Sequence, residues 1–240
     1  MASFSTHFTV GAAVSAMAAT ALVSIGKIDT EAALLLTFAG TLGGILPDID
    51  SDHSRPLQIV FVALYALCAY ILIDQLRGLS ILELWVVLAG SYFLFRYALL
   101  PAFRAWTIHR GIFHSVLAGI FFCFLTCALL FQFYQLNPGL SWLGGGFVFL
   151  GFIAHLLLDE FYSVDFNGKR LKRSFGTALK LVNTRNWGNT FIFLVGTGLA
   201  FQMTPASHEF TQLIFNKATY VALFENFFPA YLTQFAVAGH

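Results

Sequence analysis

The sequence predicts an all-α protein, a polytopic bundle of about seven transmembrane helices. Three observations lead there. The chain of 240 residues is 58% hydrophobic and 10% charged, against about 25% charged residues in a soluble domain. Its mean hydropathy is +0.76, and no polar stretch is long enough to form a soluble domain. Finally, apolar runs approaching the roughly 20 residues that cross a bilayer core recur at approximately Phe8–Ser24, Ala32–Leu46, Leu57–Ile73, Ile81–Leu100, Ile112–Leu136, Trp142–Phe161 and Trp187–Met203.

The first two runs are short and rich in Ala and Gly, a composition that lets helices approach closely in lipid. No Lys or Arg precedes the first run, as a secretory signal would require, so it is read as a span. Residues 1–205 form the expected membrane domain. Residues 206–240 are an aromatic tail, expected to lie at the interface or to pack as a short helix. Cys68, Cys123 and Cys127 all fall inside apolar runs, where an odd number argues against a disulfide framework; they are read as small packing residues.

Alternation of seven spans assigns ten of the thirteen basic residues to the side that holds the N-terminus: Arg55, Arg96, Arg104, Arg110, Lys169, Arg170, Lys172, Arg173, Lys180 and Arg185. Lys27, Arg77 and Lys217 fall on the other side. The bias of basic residues toward the cytoplasm makes the first side cytoplasmic. A net charge of +1 gives no footprint for nucleic acid, and the expected partners are membrane lipids.

His and Asp residues gather at the ends of spans on that same side. His7 sits just before the first span. Asp48, Asp50, Asp52 and His53 follow the second, with Pro47 expected to turn the chain. His109, Arg110 and His114 open the fifth, where a helix N-terminus would favour an anion. His155 and Asp159 close the sixth at i, i+4, on one helical face. A lone His or an Asp-rich turn is ordinary, and His208 and His240 are read that way. Four segments supplying imidazole and carboxylate to one membrane depth are harder to explain by anchoring, which favours Lys, Arg, Trp and Tyr. Mixed nitrogen and oxygen donors suit Zn, Mn or Fe. The Asp48 segment is not an EF-hand, having His53 at the sixth position and Ile59 at the twelfth.

The ordered set of His7, Gly44-Ile45-Leu46-Pro47-Asp48-Ile49-Asp50, His109-Arg110-Gly111 with His114-Ser115, and His155 with Asp159 resembles the YdjM-like family of inner-membrane, metal-dependent hydrolases, sometimes described as LexA-regulated. The resemblance runs from about Ser5 to Gly176. The family's usual Thr is replaced here by Phe113, and Gly168 with the basic run Lys169–Arg173 stands where the family has a Gly and a polar stretch. It implies a multi-pass protein of the bacterial inner membrane with a metal-dependent hydrolytic activity.

Together these features predict one or two divalent ions (Zn, Mn or Mg) held by His7, Asp48, His114, His155 and Asp159. Asp50 or His109 is expected as general base, or to orient the ligands. Arg110 would grip a phosphate oxygen, and Ser115 would donate a hydrogen bond. The basic run would draw anionic headgroups to the same face, favouring a lipid or lipid-linked ester or phosphoester. Two other classes share these residues. One is a transporter, which would extend polar groups across the full depth, with Gln132 and Asn189 the candidates. The other is a non-catalytic membrane protein pinned by a metal.

Overall fold

A computed structural model describes residues 3–50, 55–107, 113–165, 170–171, 180–182 and 187–227. The described chain is helical throughout, apart from a two-residue antiparallel ribbon, β1 (Val164–Asp165) with β2 (Arg170–Leu171). Helices occur at all seven expected places. They are α1 (Phe4–Ser24), α2 (Thr30–Gly43), α3 (Arg55–Gln75), α4 (Ile81–Leu94), continued through a π-helical turn at Phe95–Leu99 into α5 (Leu100–Thr107), then α6 (Val116–Gln132), α7 (Pro138–Ser163) and α8 (Trp187–Gln202). The tail forms α9 (His208–Phe215) and α10 (Lys217–Phe227), which pack on α7 and α1 respectively.

Among the described residues, four stretches are long and apolar enough to cross a membrane: Phe4–Ser24, Pro56–Gln75, Ile81–Arg104 and Pro138–Ser163. Helix α2, with 14 residues, reaches about 21 Å at ~1.5 Å per residue, short of the ~30 Å hydrocarbon core. A 3₁₀ helix over Leu46–Asp50 carries the chain onward. Large apolar side chains, among them Met17, Phe38, Val62, Trp85 and Phe191, stand exposed on the outside. Such a surface suits lipid as solvent.

Three predicted boundaries move, and each shift has a capping residue behind it. The Ser3 side chain accepts from the Thr6 amide, so α1 starts at Phe4 and His7 lies in its first turn instead of before it. Helix α2 stops at Gly43, and Pro47 sits within the 3₁₀ helix instead of breaking a span at Leu46. Ser115 caps α6 by accepting from Ala118 N, so the helix starts at Val116 and His114 precedes it. Side-chain caps of this kind satisfy amides that a helix start leaves open, and hydropathy does not register them.

The inner layer is α1, α2, α7 and α6. Its buried faces are narrow stripes: His7, Gly11, Ser15 and Ala19 on α1, and Gly144, Val148, Gly151, His155 and Asp159 among the buried residues of α7. Helices meet there without side chains between them. A Cβ on Gly151 would lie 1.9 Å from the Gly40 carbonyl oxygen, one on Gly43 2.1 Å from the Val148 oxygen, and one on Gly11 3.3 Å from the Gly44 Cα. Helix α6 crosses α7 similarly, with a Gly145 Cβ 2.4 Å from the Cys123 oxygen and 3.2 Å from Cys127 Cβ, so both cysteines pack as small residues and all three are free thiols. Helices α3 and α4 lie outside this layer, joined by the Tyr65 hydroxyl donating to Leu88 O; α4 buries none of its residues. Gly151→Ala is expected to lower the melting temperature measured by circular dichroism in detergent, because the clash at 1.9 Å outweighs the ~1 kcal/mol that alanine gains in helix propensity. Gly198→Ala, whose Cβ meets nothing within 4 Å, should raise it.

Candidate metal centre

Two stripes of small residues end in the site. One turn before Gly11 on the same face of α1 stands His7, and one and two turns after Gly151 on α7 stand His155 and Asp159. The close approach of α2 to α7 brings the Gly44 carbonyl to 2.7 Å from His155 Nδ1. A carbonyl only accepts, so Nδ1 carries the proton and Nε2 of the neutral ring offers its lone pair. His7 stacks flat on His155, with centroids 3.6 Å apart and planes inclined by 13°. His114 meets His155 edge-on at 5.6 Å.

The 3₁₀ helix supplies Asp48. Its Oδ1 is 3.6 Å from both His155 Nε2 and His114 Nε2. Asp159 Oδ2 is 3.7 Å from the same two nitrogens, and Asp159 Oδ1 is 3.3 Å from His7 Nε2. Two overlapping triads result, each with donor atoms within 4.8 Å of one another: His7, His155 and Asp159, and Asp48, His114 and His155. The first is enclosed, with side chains 0 to 4% exposed; in the second, Asp48 and His114 are 26% and 18% exposed. Leu46, Ile49, Leu57, Phe113, Phe152 and Leu156 form an apolar floor beneath both.

The separations discriminate between two kinds of contact. Charge-assisted imidazole–carboxylate hydrogen bonds close to about 2.7–2.9 Å. Ligands held tetrahedrally at about 2.0–2.2 Å from a cation stand about 3.3–3.6 Å apart. The observed 3.3 to 3.7 Å lies within or just beyond the second range and well outside the first. His7 Nδ1 and His155 Nε2 are buried and make no hydrogen bond among the described residues, a state costing roughly 1–3 kcal/mol per group unless another partner takes it up. The two triads are therefore groups that could hold a metal ion.

The start of α6 differs from the expectation of an anion-binding terminus. Lys180 O accepts from Val116 N at 2.8 Å, Leu181 O from Leu117 N at 3.1 Å, and Ser115 Oγ from Ala118 N at 3.3 Å. The amides of Val116, Leu117 and Ala118 are therefore already engaged, and the wholly buried Ser115 accepts as the helix cap. Neither the 180–182 contact nor the Gly44 carbonyl was foreseen; the glycine at Gly44 beside the Pro47-Asp48 element was the available signal for the latter.

A family model described as YdjM inner membrane protein matches residues 1–236. The chain belongs to this family. The match continues well past Gly176, where the motif resemblance ended, and takes in α8, α9 and α10. No curated protein and no solved structure matches. In this YdjM family member, Asp52, His53, His109 and Arg110 lie outside the described residues, as do Gly168, Lys169, Lys172, Arg173, Gly176, Arg185 and His240. The backbone of Asp50 closes the 3₁₀ helix, and its side chain is outside the described set. His208 is exposed at the start of α9. Gln132, on the end away from the cluster, donates to Met203 O. Ser115→Ala should cost about 1 kcal/mol of unfolding free energy and Ser115→Gly only a few tenths, read from denaturant titrations of the purified protein.

Proposed function

We propose that this inner-membrane protein is a metal-dependent hydrolase, acting on an ester or phosphoester of a lipid or lipid-linked substrate at the cytoplasmic leaflet. The observation that carries it is His155: its ring is oriented by the Gly44 carbonyl, and its buried, unbonded Nε2 faces two carboxylates at distances suited to shared coordination. His7, Asp48, His114, His155 and Asp159 are the proposed ligands of one or two ions.

A bound divalent ion would supply Lewis acidity, making water ionise near neutral pH and polarising a phosphoryl or acyl oxygen. The chain's own groups do the rest. His7, His155 and Asp159 hold the enclosed half rigid by stacking and packing. Asp48 and His114 border the open half, where partial exposure leaves room for a substrate oxygen, as catalytic sites require and closed structural sites do not. Asp50 or His109 would take the proton from water or orient a ligand, and Arg110 would hold a phosphate oxygen by its planar fork. Lipid as substrate is supported by the apolar surroundings and the basic segment Lys169–Arg173.

Metal analysis of detergent-purified protein should find about one or two ions per chain. His155→Ala and Asp159→Ala should each lose them, with membrane insertion retained; full metal content in both variants would refute the ligand assignment. The metal-loaded protein should release phosphate or fatty acid from phospholipids or lipid-linked phosphates and lose that activity with chelator. Arg110→Lys should weaken an anionic substrate and keep the metal. For sidedness, Lys172→Cys in a chain lacking Cys68, Cys123 and Cys127 should resist impermeant thiol reagents in intact cells; rapid labelling would put the site on the outer face.

A further inference from the structure

The end of the bundle away from the His/Asp cluster holds a cavity of about 720 Å³. Its walls come from the α1–α2 turn, the start of α7 and the α9–α10 pair, whereas the cluster sits at the start of α1 and the end of α7. Several of its polar groups have partners: Asp29 Oδ1 accepts from Ala32 N and Asn137 Oδ1 from Leu140 N, each at 2.7 Å, Asn216 Oδ1 accepts from Ala218 N at 2.9 Å, and Gln212 Nε2 lies 3.4 Å from His208 Nε2. Lys27 and Glu209 both line the cavity, and neither forms an ion pair among the described residues. The Glu209 carboxylate rests on the first turn of α7, where a Cβ at Gly139 would come within 2.6 Å of its Oε2.

A second cavity of about 330 Å³ lies between α1, α7, α9 and α10. No charged side chain among the described residues lines it, and the polar end of Tyr220 is occupied by donation to Ile214 O. Leu143, Phe210, Leu213 and Thr219 belong to the walls of both cavities, so the two adjoin, giving a recess with a charged part and an apolar part. Thr219 is 8% exposed, and its hydroxyl has no hydrogen bond among the described residues. Phe210 is held in place by stacking on Trp142 at 5.7 Å, whose Nε1 donates to Pro205 O. The wall is therefore preformed.

A charged part with one cation, Lys27, and two carboxylates, Asp29 and Glu209, beside a chain-sized apolar slot at the level where helices end, suits an amphiphile whose headgroup carries an ammonium as well as a phosphate. We propose that the recess binds one glycerophospholipid with a primary ammonium headgroup. Lys27 meets its phosphate, Glu209 its ammonium, and an acyl chain lies along Gly146 between α7 and α9. The site is separate from the metal centre and does not depend on it.

The test is native mass spectrometry of the full chain, released from detergent micelles containing equimolar phosphatidylethanolamine and phosphatidylglycerol with identical acyl chains. One phosphatidylethanolamine should remain per chain, in preference to phosphatidylglycerol. Gly146→Leu leaves room for its Cβ, which meets Phe210 at 3.4 Å, but its outer carbons fill the slot. Retained lipid should fall about tenfold, with helical content and metal content unchanged. Glu209→Gln, at an exposed position, should weaken the preference between the two lipids. Equal retention of both lipids by the parent protein, or an unchanged preference in Glu209→Gln, would overturn the proposal; the latter holds even if Gly146→Leu fails to fold.

Discussion

Everything distinctive in this protein depends on backbone meeting backbone where α2 passes α1 and α7. Lipid tails are as apolar as leucine, so helices in a membrane gain little by burying apolar faces on one another and associate through close van der Waals contact. Glycines at 11, 40, 43, 44 and 151 make that contact possible, and the distances leave no room for a Cβ at several of them. The same approach answers a second need. The last carbonyls of a helix have no intrahelical partner, and in hydrocarbon water is absent to replace one. At the end of α2 the Gly44 carbonyl receives the proton of His155 Nδ1. One hydrogen bond thus completes a helix terminus and fixes which nitrogen of the imidazole is free to coordinate.

The cluster around that imidazole is difficult to account for as packing alone. Two carboxylates face three imidazoles in a region where an isolated charge is expensive. Had selection acted only on stability, hydrogen bonds between these groups should have closed to normal length, or apolar residues of similar volume would serve as well. Instead the donors stand apart by 3.3 to 3.7 Å. Two of the three imidazoles are positioned from outside the cluster, His155 by Gly44 and His114 by the cap that starts α6 immediately after it, and His7 is held by stacking on His155. Groups preorganised by the scaffold, with mutual contacts left long, are what a site for a further ligand requires.

Much of this could be read from the residues. Membrane character followed from the charge deficit, the seven helices from the apolar runs, and the convergence of His7, Asp48, His114, His155 and Asp159 from span alternation. Helix ends were harder to read, because Ser3 and Ser115 terminate helices by single hydrogen bonds while hydropathy averages over many residues. Helix α6, with 17 residues, is shorter than the apolar run Ile112–Leu136 that predicts it. A stronger signal lay in plain view: His7, Gly11, Ser15 and Ala19 repeat every four residues, as do Gly151, His155 and Asp159. Small residues at that spacing mark a helix–helix contact, so a histidine continuing the stripe must point into it. The Lys180 and Leu181 carbonyls that fill the start of α6 had no such signal, since backbone acceptors carry no residue identity.

Helix α7 shows how one element serves both ends of the molecule without confusing them. At about 100° per residue, Gly146 lies roughly 140° around the helix from Gly151. One face carries the glycine contact toward α2 and ends in His155 and Asp159; the other meets Phe210 of α9 and lines the apolar recess. The tail, expected at the interface or packed as a short helix, covers this second face, and the family match includes it. Its attachment through Trp142, Phe210 and Pro205 supports the end of α7 farthest from the cluster. The rigid 26-residue helix then carries that support to His155, so the long tail and the histidine site are parts of one packing problem.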